Sequence, residues 1–152
     1  MQPIIMTIQK LTIAGITGDG SQTGELWEAF DQQYSIAPFA RLGGDAYEAR
    51  IGDGSACVCH VGFSVEEEQT PQGYAVLTLP ASEYAVFDVR VVNGYDSENK
   101  AMDEWLADNP QGYIQSMLDG KPFVVECYNE KFKGGDQADS IVEIWIPVHK
   151  KG

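Results

Sequence analysis

In FVVECYNEKF, residues 123–132, an acid interrupts a run of apolar and β-branched residues: Glu126 stands between Val124, Val125, Cys127 and Tyr128. Side chains alternate along a strand, so Val124, Glu126 and Tyr128 point one way and Val125 and Cys127 the other. A carboxylate on a dry aromatic face loses water, which disfavours its charged form until a hydrogen bond or a cation compensates. An organic cation is such a partner, and ring faces add cation–π attraction of ~0.5–2 kcal/mol each. The same pattern also fits an acid on an exposed sheet face, with Tyr128 as a half-buried packing residue.

In SIVEIWIPV, residues 140–148, the even apolar set Val142, Ile144, Ile146 and Val148 is expected to pack against helices. Glu143, Trp145 and Pro147 then face the other way. Pairing of the two strands as a hairpin is expected to bring Trp145 to the side of Glu126 and Tyr128, which places the acid between two aromatic walls.

The elements that must hold these residues occur twice. MTIQKLTIAGIT reads as a strand, closed by the turn-rich GDGSQTG, and GELWEAFDQQY as a helix with Glu25 and Glu28 near its positive end. DAYEARIG and SACVCHVGFSV then read as two strands joined at GDGS. After the polar VEEEQTPQG, the extended YAVLTLPASEYAVFDVRVV is broken at Pro80. A helix, ENKAMDEWLADN, follows; Asp96 or Ser97 is expected to cap it and Pro110 to terminate it. QGYIQSMLDGKP reads as a loop, and FVVECYNEKF and SIVEIWIPVHK complete the second set. Trp27 precedes Glu48 by 21 residues, and Trp105 precedes Glu126 by the same 21. The chain therefore reads as a single domain over 1–152, with repeat 1 at about 1–75 and repeat 2 at about 76–149. Two such units would bury their apolar faces together and leave a cleft at a pseudo-twofold axis. Trp27 and Trp105 fit helix packing or the cleft wall, and Tyr47 and Glu48 are candidates for its symmetry-related half.

Composition removes several classes of function. The net charge is −13 from 10 basic and 23 acidic residues, and no basic cluster exists for nucleic-acid phosphates. No stretch approaches the ~20 apolar residues of a membrane span, and no basic leader precedes an apolar run, so a cytoplasmic protein is expected. Three cysteines, Cys57, Cys59 and Cys127, do not suggest a disulfide framework. In CVCH, His60 points away from Cys57 and Cys59, so neither a metal nor another cofactor is expected; His60 reads as a satisfied strand residue.

LPASEYAVFDV, the helix with Trp105, the strand with Glu126 and Tyr128, and the closing EIWIPV resemble the GyrI-like, or effector-binding, domain of AraC-type and MerR-type regulators. The match covers most of 76–149 and is looser before it. It implies an α+β fold of duplicated βαββ units with an antiparallel sheet and a central ligand cleft, where a buried glutamate, matched by Glu126, meets cationic aromatic compounds. No helix-turn-helix precedes the domain, so a free-standing member is expected, binding amphipathic, cationic aromatic small molecules through Glu126, Tyr128, Trp145, Trp105, Trp27 and Tyr47. Two other functions stay open. One is hydrolysis of reactive cyclopropane-containing natural products, which some family members perform; the other is a gyrase-inhibitor-like interaction with a protein partner.

Overall fold

The computed structural model describes residues 2–53 and 56–151; the Gly54–Ser55 part of the GDGS turn lies outside them. The chain runs β1 (Ile4–Ile8), β2 (Leu11–Asp19), α1 (Thr23–Ile36), β3 (Ala46–Ile51), β4 (Val58–Ser64), β5 (Ala75–Leu79) and β6 (Ser82–Arg90). It continues through α2 (Tyr95–Ala107), β7 (Tyr113–Gln115), β8 (Met117–Leu118), β9 (Lys121–Tyr128) and β10 (Ile141–Lys150). Among the described residues, no helix is long and apolar enough to cross a membrane.

The sheet order is β1-β6-β10-β9-β3-β4-β2-β5, and every pairing is antiparallel. Read outward from its centre, the order is the same in both directions: β9 matches β3, β10 matches β4, β6 matches β2, and β1 matches β5. This is the pseudo-twofold fold of two βαββ units. Each unit lends its first strand to the other, since β1 pairs β6 and β5 pairs β2. That exchange requires the expected strand MTIQKLTIAGIT to break at Gln9–Lys10, just as the later one breaks at Pro80.

Two other expectations change locally. Helix α2 starts at Tyr95 rather than after an Asp96 or Ser97 cap, because Gly94, at φ 75°, turns the chain into it. Asp96 and Glu98 instead occupy its first turn, where the helix dipole favours acids. The expected loop before β9 contains β7 and β8, the latter turning back into β9 at Asp119 and Gly120 with φ 51° and 77°, the Asp-Gly signature of a tight hairpin.

One cross-strand row explains where the helices sit. Phe87 faces Ile144, Ile144 faces Glu126, Glu126 faces Glu48, Glu48 faces Val61, and Val61 faces Ile16. Directly paired residues share a sheet face. At one end, Phe87 and Ile144 pack with Met102 and Trp105 of α2. At the other, Val61 and Ile16 pack with Phe30 of α1. Both helices therefore cover the same face, and the two glutamates occupy the gap between them.

Strands β2 and β4 approach closely at the Gly15–Gly62 pair. A Cβ on Gly62 would lie 2.1 Å from the Ala14 carbonyl oxygen, and one on Gly15 would lie 1.7 Å from that of Val61. Gly62→Ala is therefore expected to destabilise the protein by about 2–3 kcal/mol through backbone displacement. Urea denaturation that leaves the midpoint unchanged would refute this.

Candidate functional site

The gap between α1 and α2 is a cleft of about 760 Å³ with Glu48 and Glu126 on its floor. That volume lies in the usual range for small-molecule sites. Val124, Tyr128, Ile144 and Ile146 continue the floor, while Thr23 from α1 and Tyr95, Asn99 and Met102 from α2 form the walls. The acids are not only neighbours. Glu126 follows Glu48 by 78 residues, as Trp105 follows Trp27, so they are equivalent positions of the two units. Because they also pair directly, the pseudo-twofold axis passes between them.

Equivalent positions have unequal partners. Glu48, 3% exposed, accepts the indole N–H of Trp27 at 2.9 Å and forms an ion pair with Arg50 at 3.2 Å. Arg50 also donates to the Gly20 carbonyl and the Thr23 hydroxyl, each at 2.8 Å, and to Cys57 Sγ at 3.3 Å. Burial disfavours its charge, but Cys57, Cys59 and Glu48 together hold its pKa above the ordinary value. Glu126 receives one neutral hydrogen bond, from the Tyr128 hydroxyl at 3.1 Å. Loss of water, then the charge of Glu48 and a hydrogen bond with it, push the Glu126 carboxyl up to about 8, against smaller lowering effects of Tyr128 and Arg50. Burial and the nearby Glu126 and Glu48 carboxyls likewise push the Tyr95 phenol up to about 12 and the Tyr128 phenol higher still. The cleft thus favours the protonated form of Glu126 more than the surroundings of an ordinary carboxyl do.

The expected site residues divide into four groups. Glu126 and Tyr128 line the cleft together. Trp27 reaches it from α1 by its bond to Glu48, with its ring edge-on to Tyr128 at 5.8 Å. The 21-residue spacing read from the sequence is therefore a hydrogen bond in the first unit. In the second unit Trp105 stays in the α2 core against Phe87 and Tyr113, its buried indole N–H without a partner.

Trp145 and Tyr47 are corrections. Trp145 pairs with Val125 and Val86, not with Glu126, and lies on the opposite sheet face. There it packs against Tyr47 and Tyr84 and donates to Glu143 at 2.9 Å. The expectation assumed that the helix-packed face and the cleft face were different. They are the same face, and the apolar set of β10 supplies Ile144 and Ile146 to the cleft. His60 also lies on the far face, where Nε2 donates to the Ile13 carbonyl at 2.9 Å and Nδ1 accepts from Thr17 at 2.6 Å. Arg50 and Tyr95 were missed. Arg50 is two residues beyond Glu48 and so shares its face by strand period, while Tyr95 was hidden by placing the start of α2 too late.

Two pseudo-symmetric βαββ units, with an acid-floored cleft between helices on one face of their sheet, define the GyrI-like effector-binding fold. The chain belongs to the Cass2 family of integron-associated effector binding proteins, whose family model matches residues 5–148. Among solved structures it resembles SAV2435 bound to tetraphenylphosphonium, at TM-score 0.74 and 18% identity over 98% of this chain and 94% of that one. The C-terminal domain of EcmrR is similar at TM-score 0.73 and 17% identity, over 99% of this chain and 98% of that one. A hydrolase from Listeria innocua shares the fold at TM-score 0.58 and 10% identity, over 97% and 92%. Comparison with curated protein sequences finds no match.

Proposed function

We propose that the chain binds amphipathic aromatic cations in the cleft between α1 and α2, with Glu126 as the counter-ion. The observation that carries this reading is the inequality of the two acids: Glu48 has its own cation in Arg50, whereas Glu126 is hydrogen-bonded by the Tyr128 hydroxyl and with Glu48 and forms no ion pair among the described residues. An incoming cation gives Glu126 the partner it lacks. Tyr95, Tyr128 and Trp27 supply ring surface, and Met102, Ile144 and Ile146 supply apolar area worth ~25 cal/mol per Å² buried. Affinity then comes mainly from apolar contact, and Glu126 selects for charge. That a protein of this fold binds tetraphenylphosphonium supports the ligand class.

The test is a titration with tetraphenylphosphonium and with triphenylphosphine oxide, a neutral aryl analogue, followed by tryptophan fluorescence and calorimetry. Glu126→Gln is expected to weaken the cation about 30- to 100-fold, roughly 2–3 kcal/mol, and to leave the neutral compound within about threefold. Equal loss for both ligands, or no loss for either, would overturn the role of Glu126.

A second reading has one observation in its favour. A carboxyl raised to about 8 beside a phenol is suited to general acid–base chemistry, including water addition to a strained ring. Mass spectrometry after incubation with a cyclopropane-containing natural product separates the readings. Unchanged compound in the presence of protein that binds it removes the hydrolase.

A further inference from the structure

We propose that Arg50 sets the charge stoichiometry of the cleft, restricting it to ligands with a single positive charge. The inference rests on the reading of the cleft as a cation site. Glu48 and Glu126 are direct cross-strand partners, which brings their β-carbons within about 5 Å of each other. Two carboxylates at that spacing would suit a compact dication. Arg50 prevents this by occupying one of them.

Its position in the repeat shows how. Tyr128 follows Arg50 by the same 78 residues that separate Glu126 from Glu48, so a guanidinium in one unit corresponds to a phenol in the other. Each lies two residues beyond its acid on the same strand face, and each hydrogen-bonds to that acid. The first unit is thereby neutralised from within, while the second keeps an acid that needs an external charge. Gly20, Thr23 and Cys57 fix the guanidinium on the Glu48 side. The remaining charged group on the cleft lining is Asp103 of α2, which is exposed to solvent and screened. One internal cation against two floor carboxylates leaves room for one external cation.

Substitution should change the count in both directions. Arg50→Met frees Glu48, so the cleft should accept two charges. Glu48→Gln leaves the Arg50 charge balanced by Glu126 alone, so the cleft should bind an external cation more weakly. The double variant again leaves one acid and no internal cation, and should return to one charge.

The experiment compares diquat, a compact aromatic dication, with its singly methylated bipyridinium analogue by calorimetric titration of the four proteins. In Arg50→Met the ratio of diquat to monocation affinity is expected to rise at least about tenfold over wild type. Glu48→Gln should bind the monocation about tenfold more weakly than wild type, and the double variant should recover to within about threefold. An unchanged ratio in Arg50→Met, or a folded Glu48→Gln that keeps wild-type monocation affinity, overturns the proposal; the second result decides the matter even where Arg50→Met does not fold. Failure of wild type to bind either the monocation or tetraphenylphosphonium would instead remove the underlying reading of the cleft.

Discussion

Affinity for tetraphenylphosphonium is expected to rise by up to tenfold per pH unit between about pH 5 and about pH 8, then to level off. The ligand pairs with ionised Glu126, but in the free protein that carboxyl is protonated until the pH passes its raised pKa. Below that point each binding event must expel a proton, which costs about 1.4 kcal/mol per pH unit. In the complex the cation favours the carboxylate, so the bound-state pKa falls and the dependence persists well below neutrality. Titratable groups near Glu126 are Glu48 and Arg50 on β3, Cys59 on β4, whose thiol is pushed up to about 11 by burial, Tyr95 and Asp103 on α2, and Tyr128 on β9 itself. Both phenols stay protonated over the range, since burial holds them at about 12 or above, and Arg50 stays charged. Calorimetry in buffers of different ionisation enthalpy should count close to one proton released at about pH 6 and close to none at about pH 9. A flat affinity profile would exclude Glu126 as the titrating counter-ion, and so would a slope that survives in Glu126→Gln.

How this site was legible in the sequence depends on which residues are asked about. The period of two put Glu126 and Tyr128 on one face, and the matching distances from Trp27 and Trp105 revealed that Glu48 is the counterpart of Glu126. The first follows from the geometry of a single strand and the second from repetition along the chain, and neither needs to know how strands pair. The face shared by Trp145 does not, because it depends on which residue of β10 stands opposite Glu126, and pairing register is a property of two strands together. Nothing local in IVEIWIPV distinguishes an Ile144 partner from a Trp145 partner. The exchange of β1 and β5 was illegible for a related reason. Gln9 and Lys10 carry no turn signature, and the break becomes favourable only because β6 offers β1 an edge to pair with. Arg50 had the right period but no meaning until Glu48 was known to be buried beside it.

Glu126→Gln is expected to be more stable than wild type at about pH 9, by on the order of 3 kcal/mol, and close to wild type at about pH 4. Burial and the charge of Glu48 push the folded carboxyl up to about 8, above its ordinary value of 4.5, so between those limits the folded state is expected to bind more protons than the unfolded one. Stability therefore has its full value below the unfolded pKa, declines as pH rises through the window, and stays at the lower level above about pH 8. A full shift corresponds to more than 3 kcal/mol, and local rearrangement of Glu48, Arg50 and the cleft walls reduces it. Gln keeps the shape of the protonated acid and can still receive the Tyr128 hydrogen bond, but it has no charge to bury. The difference should appear as a melting temperature about 5–10 °C above wild type at about pH 9 that shrinks as the solution is acidified. Saturating tetraphenylphosphonium should narrow the gap from the other side, since it stabilises the wild type through Glu126 and acts much less on the variant. A variant less stable than wild type at about pH 9 would mean that Glu126 is already neutralised inside the fold. The opposite result would mark it as a group whose cost to the fold is recovered when a cation binds.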